Sequence, residues 1–288
     1  MTAPAPSASH PRFKRSIRPF LFVIAFYLLT LLAIGLLQAL SDSFALGSVA
    51  TGVISQWITL TSVVVATYVM LRRVEKLPWS VVGLDLPAAA PPILVKGAAL
   101  GLLTIGIPSL ILLAAGQLRI LPGVPGSSLA KAGESVVFLL PAAFFEELFV
   151  RGYAFSVIRR MSGWKMALII TSVVFGLLHA ANPGANASSI LAVTVAGFFL
   201  GAVLLATGSL YAAGAAHFAW NWVMMGALHT PVSGLQTVNP DYTVVDAGPD
   251  WLTGGPWGPE SGLLAVVAMF AVLFYLYGRH LRRMEPRA

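Results

Sequence analysis

The sequence predicts an all-α polytopic membrane protein, with about eight transmembrane helices around a buried polar site. Two observations carry this prediction. Hydrophobic residues fill 57% of the 288 positions and charged residues only 10%, against about 25% charged residues in soluble domains. The apolar residues are also gathered into runs of about 17–26 residues, the length at which a helix crosses a hydrocarbon core.

The apolar runs follow one another along almost the whole chain. They lie at 19–40, 46–71, 93–116, 134–158, 165–181, 189–206, 209–229 and 260–278. They predict a single transmembrane domain over 19–278. A disordered basic tail is expected at 1–18 and a basic cytoplasmic tail at 279–288.

Lysine and arginine are distributed very unevenly between the loops. If the N-terminus lies inside, 15 of the 18 basic residues fall on the inner side, and only Arg119 and Lys131 fall on the outer side. This positive-inside pattern predicts an integral protein of the cell (cytoplasmic) membrane with both termini cytoplasmic. The net charge of +7 is therefore attributed to membrane topology and contact with membrane lipids, and no nucleic-acid partner is expected.

The loop at Thr230–Pro259 is longer than most connections and rich in glycine and proline. These residues favour an ordered, non-helical cap on the outer side, although a plain solvated loop has the same composition. Helix rise places His179 in the outer half of the hydrocarbon core, so a pocket is expected beneath this loop.

The absence of cysteine limits the chemistry available to the chain. Without cysteine there are no disulfides, no thiolate metal site and no cysteine nucleophile. The sequence also lacks a Gly-x-Ser-x-Gly elbow and a His-Glu-x-x-His pair. Any catalysis must therefore depend on other polar residues within the apolar runs.

The run at 134–158 contains Glu146, Glu147 and Arg151 in the segment PAAFFEELFVRGY. Ionisable groups at this depth are costly and need partners. Glu147 and Arg151 are four residues apart and can pair on one helix face, whereas Glu146 points about 100° away. A structural ion pair would explain Glu147 and Arg151 but would leave Glu146 without a partner, which favours a functional site.

Three more polar side chains fall within later runs. His179 ends the fifth run, and His217 and Asn221 share one face of the seventh. Each would cost free energy facing lipid, so we expect all of them to converge with the glutamates on one interior pocket.

This set of residues is suited to amide hydrolysis. Glutamate and histidine can hold and deprotonate a water, and histidine and asparagine can donate hydrogen bonds to a developing oxyanion. Alternatively, Glu146, His179 and His217 can ligate Zn²⁺ with a water in the open position. The residue types alone do not choose between the two mechanisms.

Three motifs in order resemble one known family. EELFVR at 146–151, FGLLH at 175–179 and HFAWN at 217–221 resemble the Glu-Glu-x-x-x-Arg, Phe-x-x-x-His and His-x-x-x-Asn motifs of the CPBP intramembrane proteases. This is the CAAX protease and bacteriocin-processing (Abi) family, which includes type II CAAX prenyl endopeptidases. Each motif is weak alone, but the three on successive runs are specific, and they define a protease core at about 134–229.

The resemblance implies a role for each residue. Glu146 would be the general base, with His179 helping to hold the attacking water. Glu147 and Arg151 would brace the site. His217 and Asn221 would stabilise the oxyanion.

The resemblance also implies an endopeptidase that cleaves near the terminus of a peptide or protein substrate, possibly a lipid-modified one. We prefer a glutamate mechanism that requires no cofactor over a zinc metalloprotease. The alternative is a non-catalytic membrane protein, an immunity or transport-accessory factor that uses the polar core structurally. Transport would require a polar path through both leaflets, whereas these polar groups cluster at one level.

Overall fold

A computed structural model describes residues 18–44, 48–236 and 239–284. The predicted tail at 1–18 lies outside the described residues except for Arg18, and so do positions 285–288 of the predicted C-terminal tail. The helices are α1 (Arg18–Asp42), α2 (Ser48–Tyr68), α3 (Pro91–Ala114), α4 (Ser128–Glu147), α5 (Tyr153–Leu178), α6 (Ala187–Thr207), α7 (Leu210–Trp222), α8 (Asp250–Thr253) and α9 (Leu263–Arg279). Three π-helical segments continue α2, α4 and α7, at Val69–Val74, Leu148–Gly152 and Val223–Leu228.

Within the described ranges, five helical stretches are long and apolar enough to cross a membrane. They are Pro19–Asp42, Ala50–Val74, Pro91–Ala114, Ser128–Ala181 and Ala187–Thr207. The predicted count of about eight spans is not confirmed. The runs at 134–158 and 165–181 belong to one 54-residue helical stretch, which bends where Gly163 has a φ of 84°. The last run forms a shorter helix of 17 residues, α9.

The outer surface of the helical body is apolar. Large hydrophobic side chains such as Leu36 on α1, Leu110 on α3 and Phe274 on α9 are exposed. Such surfaces are unfavourable in water by about 25 cal/mol per Å² but are suited to contact with acyl chains. Together with the apolar helices, this surface fits an integral membrane protein.

Glycines allow the central helices to approach closely. α7 packs against α3, α4 and α6, and α5 packs against α6. A Cβ added at Gly101 on α3 would lie 1.9 Å from the carbonyl oxygen of Ala216 on α7. One added at Gly197 on α6 would lie 2.9 Å from the Cα of Ser172 on α5. These contacts bring the helices that carry the polar side chains next to one another.

The fold is nearly rather than entirely all-α. A two-stranded antiparallel sheet pairs β1 (Leu118–Pro122) with β2 (Tyr242–Asp246). The strands are only five residues long and lie in connections outside the apolar runs, so the pattern of apolar runs did not predict them. The described residues of the loop, 230–236 and 239–259, contain the one-turn helix α8 as well as β2, so the expected cap is not entirely non-helical.

Candidate active site

Glu147 and Arg151 form an ion pair in the protein interior. Arg151 Nη1 lies 2.6 Å from Glu147 Oε1, and both side chains are 0% exposed. Arg151 belongs to the π-helical turn Leu148–Gly152, a type of helix distortion that is frequent at functional sites. The pair has the four-residue spacing that helix geometry favours for opposite charges.

The guanidinium of Arg151 has two further partners on neighbouring helices. Its Nη2 donates a hydrogen bond of 3.1 Å to the carbonyl oxygen of Gly197 on α6. Its Cζ lies 4.4 Å from the centre of the Phe175 ring on α5, within range of a cation–π contact. Arg151 therefore joins α4, α5 and α6 around one buried charge.

His217 receives its orientation from the buried pair. Its Nδ1 lies 3.1 Å from Glu147 Oε1, and because a carboxylate only accepts hydrogen bonds, Nδ1 carries the proton. The other ring nitrogen, Nε2, lies 3.8 Å from Glu146 Oε2. We call Glu147, Arg151 and His217 the brace.

His179 approaches the same carboxylate oxygen from α5. Its Nδ1 donates to the carbonyl oxygen of Phe175 over 2.8 Å, and its Nε2 lies 3.8 Å from Glu146 Oε2. Both imidazoles thus present Nε2 to one carboxylate oxygen, at a separation too long for a hydrogen bond. That oxygen is buried and has no hydrogen-bond partner among the described residues. Together, Glu146 Oε2 and the two histidine Nε2 atoms can hold one water, which needs two to four polar partners.

Two cavities meet at His179. A small one of about 30 Å³ is lined by His179, His217 and Asn221 and is large enough for a water. A larger one of about 300 Å³, which we call the groove, is lined by Glu146 and His179 and by apolar side chains. The apolar lining of the groove consists of Phe145, Phe149, Val150, Phe175, Leu178 and Leu235. Asn182 completes it.

The structure thus places Glu146, Glu147, Arg151, His179 and His217 in one connected cluster. Asn221 is buried one helical turn beyond His217 and lines the same small cavity. The six predicted residues are therefore neighbours in space. Their catalytic roles remain predictions.

Glu146, His179 and His217, the possible ligands on the alternative zinc mechanism, do not have the spacing of a zinc site as they stand. Across the described part of the chain, no three or more His, Cys, Asp or Glu side chains form a candidate metal cluster. Tetrahedral zinc bonds of about 2.0–2.1 Å bring ligand atoms to about 3.4 Å from each other. The Nε2 atoms of His179 and His217 are each 3.8 Å from Glu146 Oε2.

Glu260 is a further acidic residue at the small cavity, and the sequence motifs did not predict it. Its Oε2 accepts a hydrogen bond of 3.1 Å from Trp220 Nε1, and its Oε1 accepts two from Ser233. The available signal was a lone carboxylate at the first position of the apolar run 260–278. That position is typical of the edge of a run, and nothing in the sequence links it to the HFAWN motif.

Comparison with known families gives one match. Residues 129–223, about a third of the chain, match the family model described as type II CAAX prenyl endopeptidase Rce1-like. The matched segment contains all six predicted site residues, and it confirms the predicted resemblance to the CPBP/Rce1-like family. Comparison with curated proteins and with solved structures gives no match.

Proposed function

We propose that this chain, with its Rce1-like protease segment, is an intramembrane endopeptidase of the glutamate type. The observation that carries the proposal is the position of Glu146. Its Oε2 lies 3.8 Å from the Nε2 atoms of both His179 and His217 and has no hydrogen-bond partner among the described residues. A purely structural carboxylate at this depth would be paired with a cation, as Glu147 is with Arg151 through its Oε1.

In the proposed first step, Glu146 takes a proton from a water that His179 Nε2 helps to orient. The water oxygen then bonds to the scissile carbonyl carbon, and the carbonyl electron pair moves onto its oxygen. The electron pair of the oxyanion then re-forms the carbonyl as the carbon–nitrogen bond breaks, and Glu146 returns the proton to the leaving amine. A carboxylate in this role contributes about 10²–10⁴ to the rate.

Asn221 and His217 are proposed to stabilise the oxyanion. The amide of Asn221 can donate a hydrogen bond to it from the wall of the small cavity. The Nδ1–H of His217 is committed to Glu147, so His217 can donate only through Nε2 and only when both nitrogens are protonated. In that form His217 Nδ1 still donates its hydrogen bond to Glu147 Oε1.

The groove beside Glu146 is suited to an apolar segment of the substrate. Its walls carry three phenylalanines, and Glu146 itself is 32% exposed toward open space. A peptide or protein substrate follows from the protease family. We extend this to a substrate whose segment next to the scissile bond is apolar or lipid-modified and reaches the groove from the bilayer.

The proposal is tested by comparing the proteomes of membranes that contain the wild type or Glu146→Gln. We expect new protein termini to appear with the wild type and to be absent with the variant. Glu134→Gln, which changes an exposed glutamate on the same helix, should give the wild-type pattern. Identical termini in all three membranes would overturn the proposal in favour of a non-catalytic immunity or transport-accessory protein.

A further inference from the structure

The outer cap contains a tight turn at Val232–Leu235. Backbone hydrogen bonds join Val232 N to Leu235 O at 3.0 Å and Leu235 N to Val232 O at 2.8 Å. The two central residues, Ser233 and Gly234, have φ values of 48° and 78°. Two consecutive positive φ values are typical of a type I′ turn, in which a residue other than glycine, asparagine or aspartate is uncommon.

One side of this turn is docked on the segment that follows His179. Asn182 Nδ2 donates a hydrogen bond of 3.0 Å to the carbonyl oxygen of Ser233. A Cβ added at Gly234 would lie 2.0 Å from the carbonyl oxygen of Pro183, so only glycine allows this approach. The turn is therefore fixed to the end of the helix that carries His179.

The other side of the turn is held by Glu260, which is 8% exposed. Glu260 Oε1 accepts hydrogen bonds from Ser233 N at 2.6 Å and Ser233 Oγ at 2.8 Å, while Oε2 accepts one from Trp220 Nε1 at 3.1 Å. Trp220 lies three residues after His217 on α7. A serine at positive φ persists when its surroundings hold it there, and Glu260 supplies two of these bonds.

The turn contributes one residue to each of the two cavities of the site. Ser233 lines the small cavity together with His217 and Asn221. Leu235, two residues further along and 46% exposed, lines the groove together with Glu146 and His179. A side chain at position 235 therefore limits the space for a substrate beside Glu146.

We propose that Leu235 is a specificity-determining residue and that Glu260 is the positioning residue that holds it in place. Leu235 limits the size of the substrate side chain next to the scissile bond. Glu260 acts through the turn and does not touch the substrate. The inference rests on the proposed peptidase function and adds to it the part of the cap that selects the substrate.

The specificity role is tested with the full-length protein in lipid vesicles. The probe is a library of palmitoylated peptides in which every position of an apolar segment is varied, with product termini read by mass spectrometry. Leu235→Ala should raise the ratio of kcat/KM for phenylalanine over alanine beside the cleaved bond by about tenfold, since pocket changes of this size give roughly 10–200-fold. An unchanged ratio overturns the role of Leu235.

The positioning role is tested by a measurement that needs no catalysis. The chain has no cysteine, so Val232→Cys, at a position 4% exposed, supplies a single thiol for maleimide labelling. In this background Glu260→Gln places an amide N–H against the donors of Ser233 or Trp220. It should speed labelling by about tenfold, as expected for the loss of one hydrogen bond to a charged group.

The exposed Glu134→Gln is the matched control and should leave labelling slow. Equal labelling rates with and without the Glu260→Gln substitution overturn the positioning role. A wild type that cleaves no library peptide overturns the proposed function and the specificity role together, whereas the labelling result still decides whether Glu260 holds the turn.

Discussion

Two adjacent glutamates have opposite environments in this protein. Glu147 is 0% exposed, and its Oε1 is closed off by Arg151 and His217. Glu146 is 32% exposed and faces two imidazole nitrogens without a hydrogen bond to either. The two side chains are about 100° apart around the helix axis, and this rotation places Glu147 in the buried brace and Glu146 at the groove.

This difference indicates what the buried charges contribute. A buried ion pair is weak support for stability, because desolvation offsets much of the attraction. Here the pair does something more specific, since Glu147 fixes the proton of His217 on Nδ1 and so leaves Nε2 directed at Glu146. Glu147 and Arg151 can thus orient the site without touching the reacting atoms.

Breaking the brace should have the largest effect on stability. Arg151→Ala leaves Glu147 buried and without its charge partner, and we expect the free energy of unfolding to fall by about 3–5 kcal/mol. Chemical denaturation in detergent measures it. Arg119→Ala, at an exposed position on β1, is the control and should change stability by about 0.5 kcal/mol or less. Equal stabilities for the two variants would contradict a stabilising role of the Glu147–Arg151 pair.

Removing the proposed oxyanion donor should affect turnover more than stability. Asn221→Ala is expected to lower kcat by about 10²–10³ with little change in KM, because the hydrogen bond forms only as charge develops. Steady-state kinetics on a cleaved library peptide measures both constants. A rise in KM at constant kcat would instead assign Asn221 to substrate binding.

The membrane topology determines on which side of the membrane the groove beside Glu146 is accessible. Ser162 and Ser188 are both exposed; Ser162 lies just before the bend of α5 at Gly163, and Ser188 lies in the first turn of α6. Single cysteines at these positions should react with impermeant reagents from opposite sides, Ser162→Cys from the cytoplasm and Ser188→Cys from outside. The reverse pattern would turn the groove toward the cytoplasm and contradict the predicted positive-inside orientation.

Metal removal should have the smallest effect. On the preferred glutamate mechanism, 1,10-phenanthroline and EDTA are expected to leave kcat/KM unchanged. Activity that is lost with a chelator and restored by Zn²⁺ would show that Glu146 and the two histidines rearrange around a metal. Glu146 would then be a metal ligand rather than the general base.

The sequence was informative where contacts are local. The pairing of Glu147 with Arg151 follows from their four-residue spacing, and the separate direction of Glu146 follows from helix rotation. The apolar runs likewise predicted the main helices. The runs did not predict the number of helical stretches correctly. Two of them, 134–158 and 165–181, belong to one stretch from Ser128 to Ala181 that bends at Gly163.

The parts that were missed depend on contacts between distant residues. Glu260 meets Trp220 across 40 positions, and no periodicity reports such a contact. The strands β1 and β2 pair across more than a hundred residues, and each is too short to stand out among loop residues. The turn at Ser233–Gly234 uses a serine at positive φ, where turn statistics favour asparagine or glycine.

Glu146 is proposed to activate water while Glu147 supports the fold, and paired isosteric variants test this division of roles most directly. In one set of vesicles, kcat/KM and the unfolding midpoint are measured for Glu146→Gln and Glu147→Gln. We expect Glu146→Gln to lower kcat/KM by about 10²–10⁴ with an unfolding midpoint close to the wild type. Glu147→Gln should lower the midpoint clearly, because Arg151 is left unpaired. Wild-type turnover in Glu146→Gln, or equal loss of stability in both variants, would contradict the account.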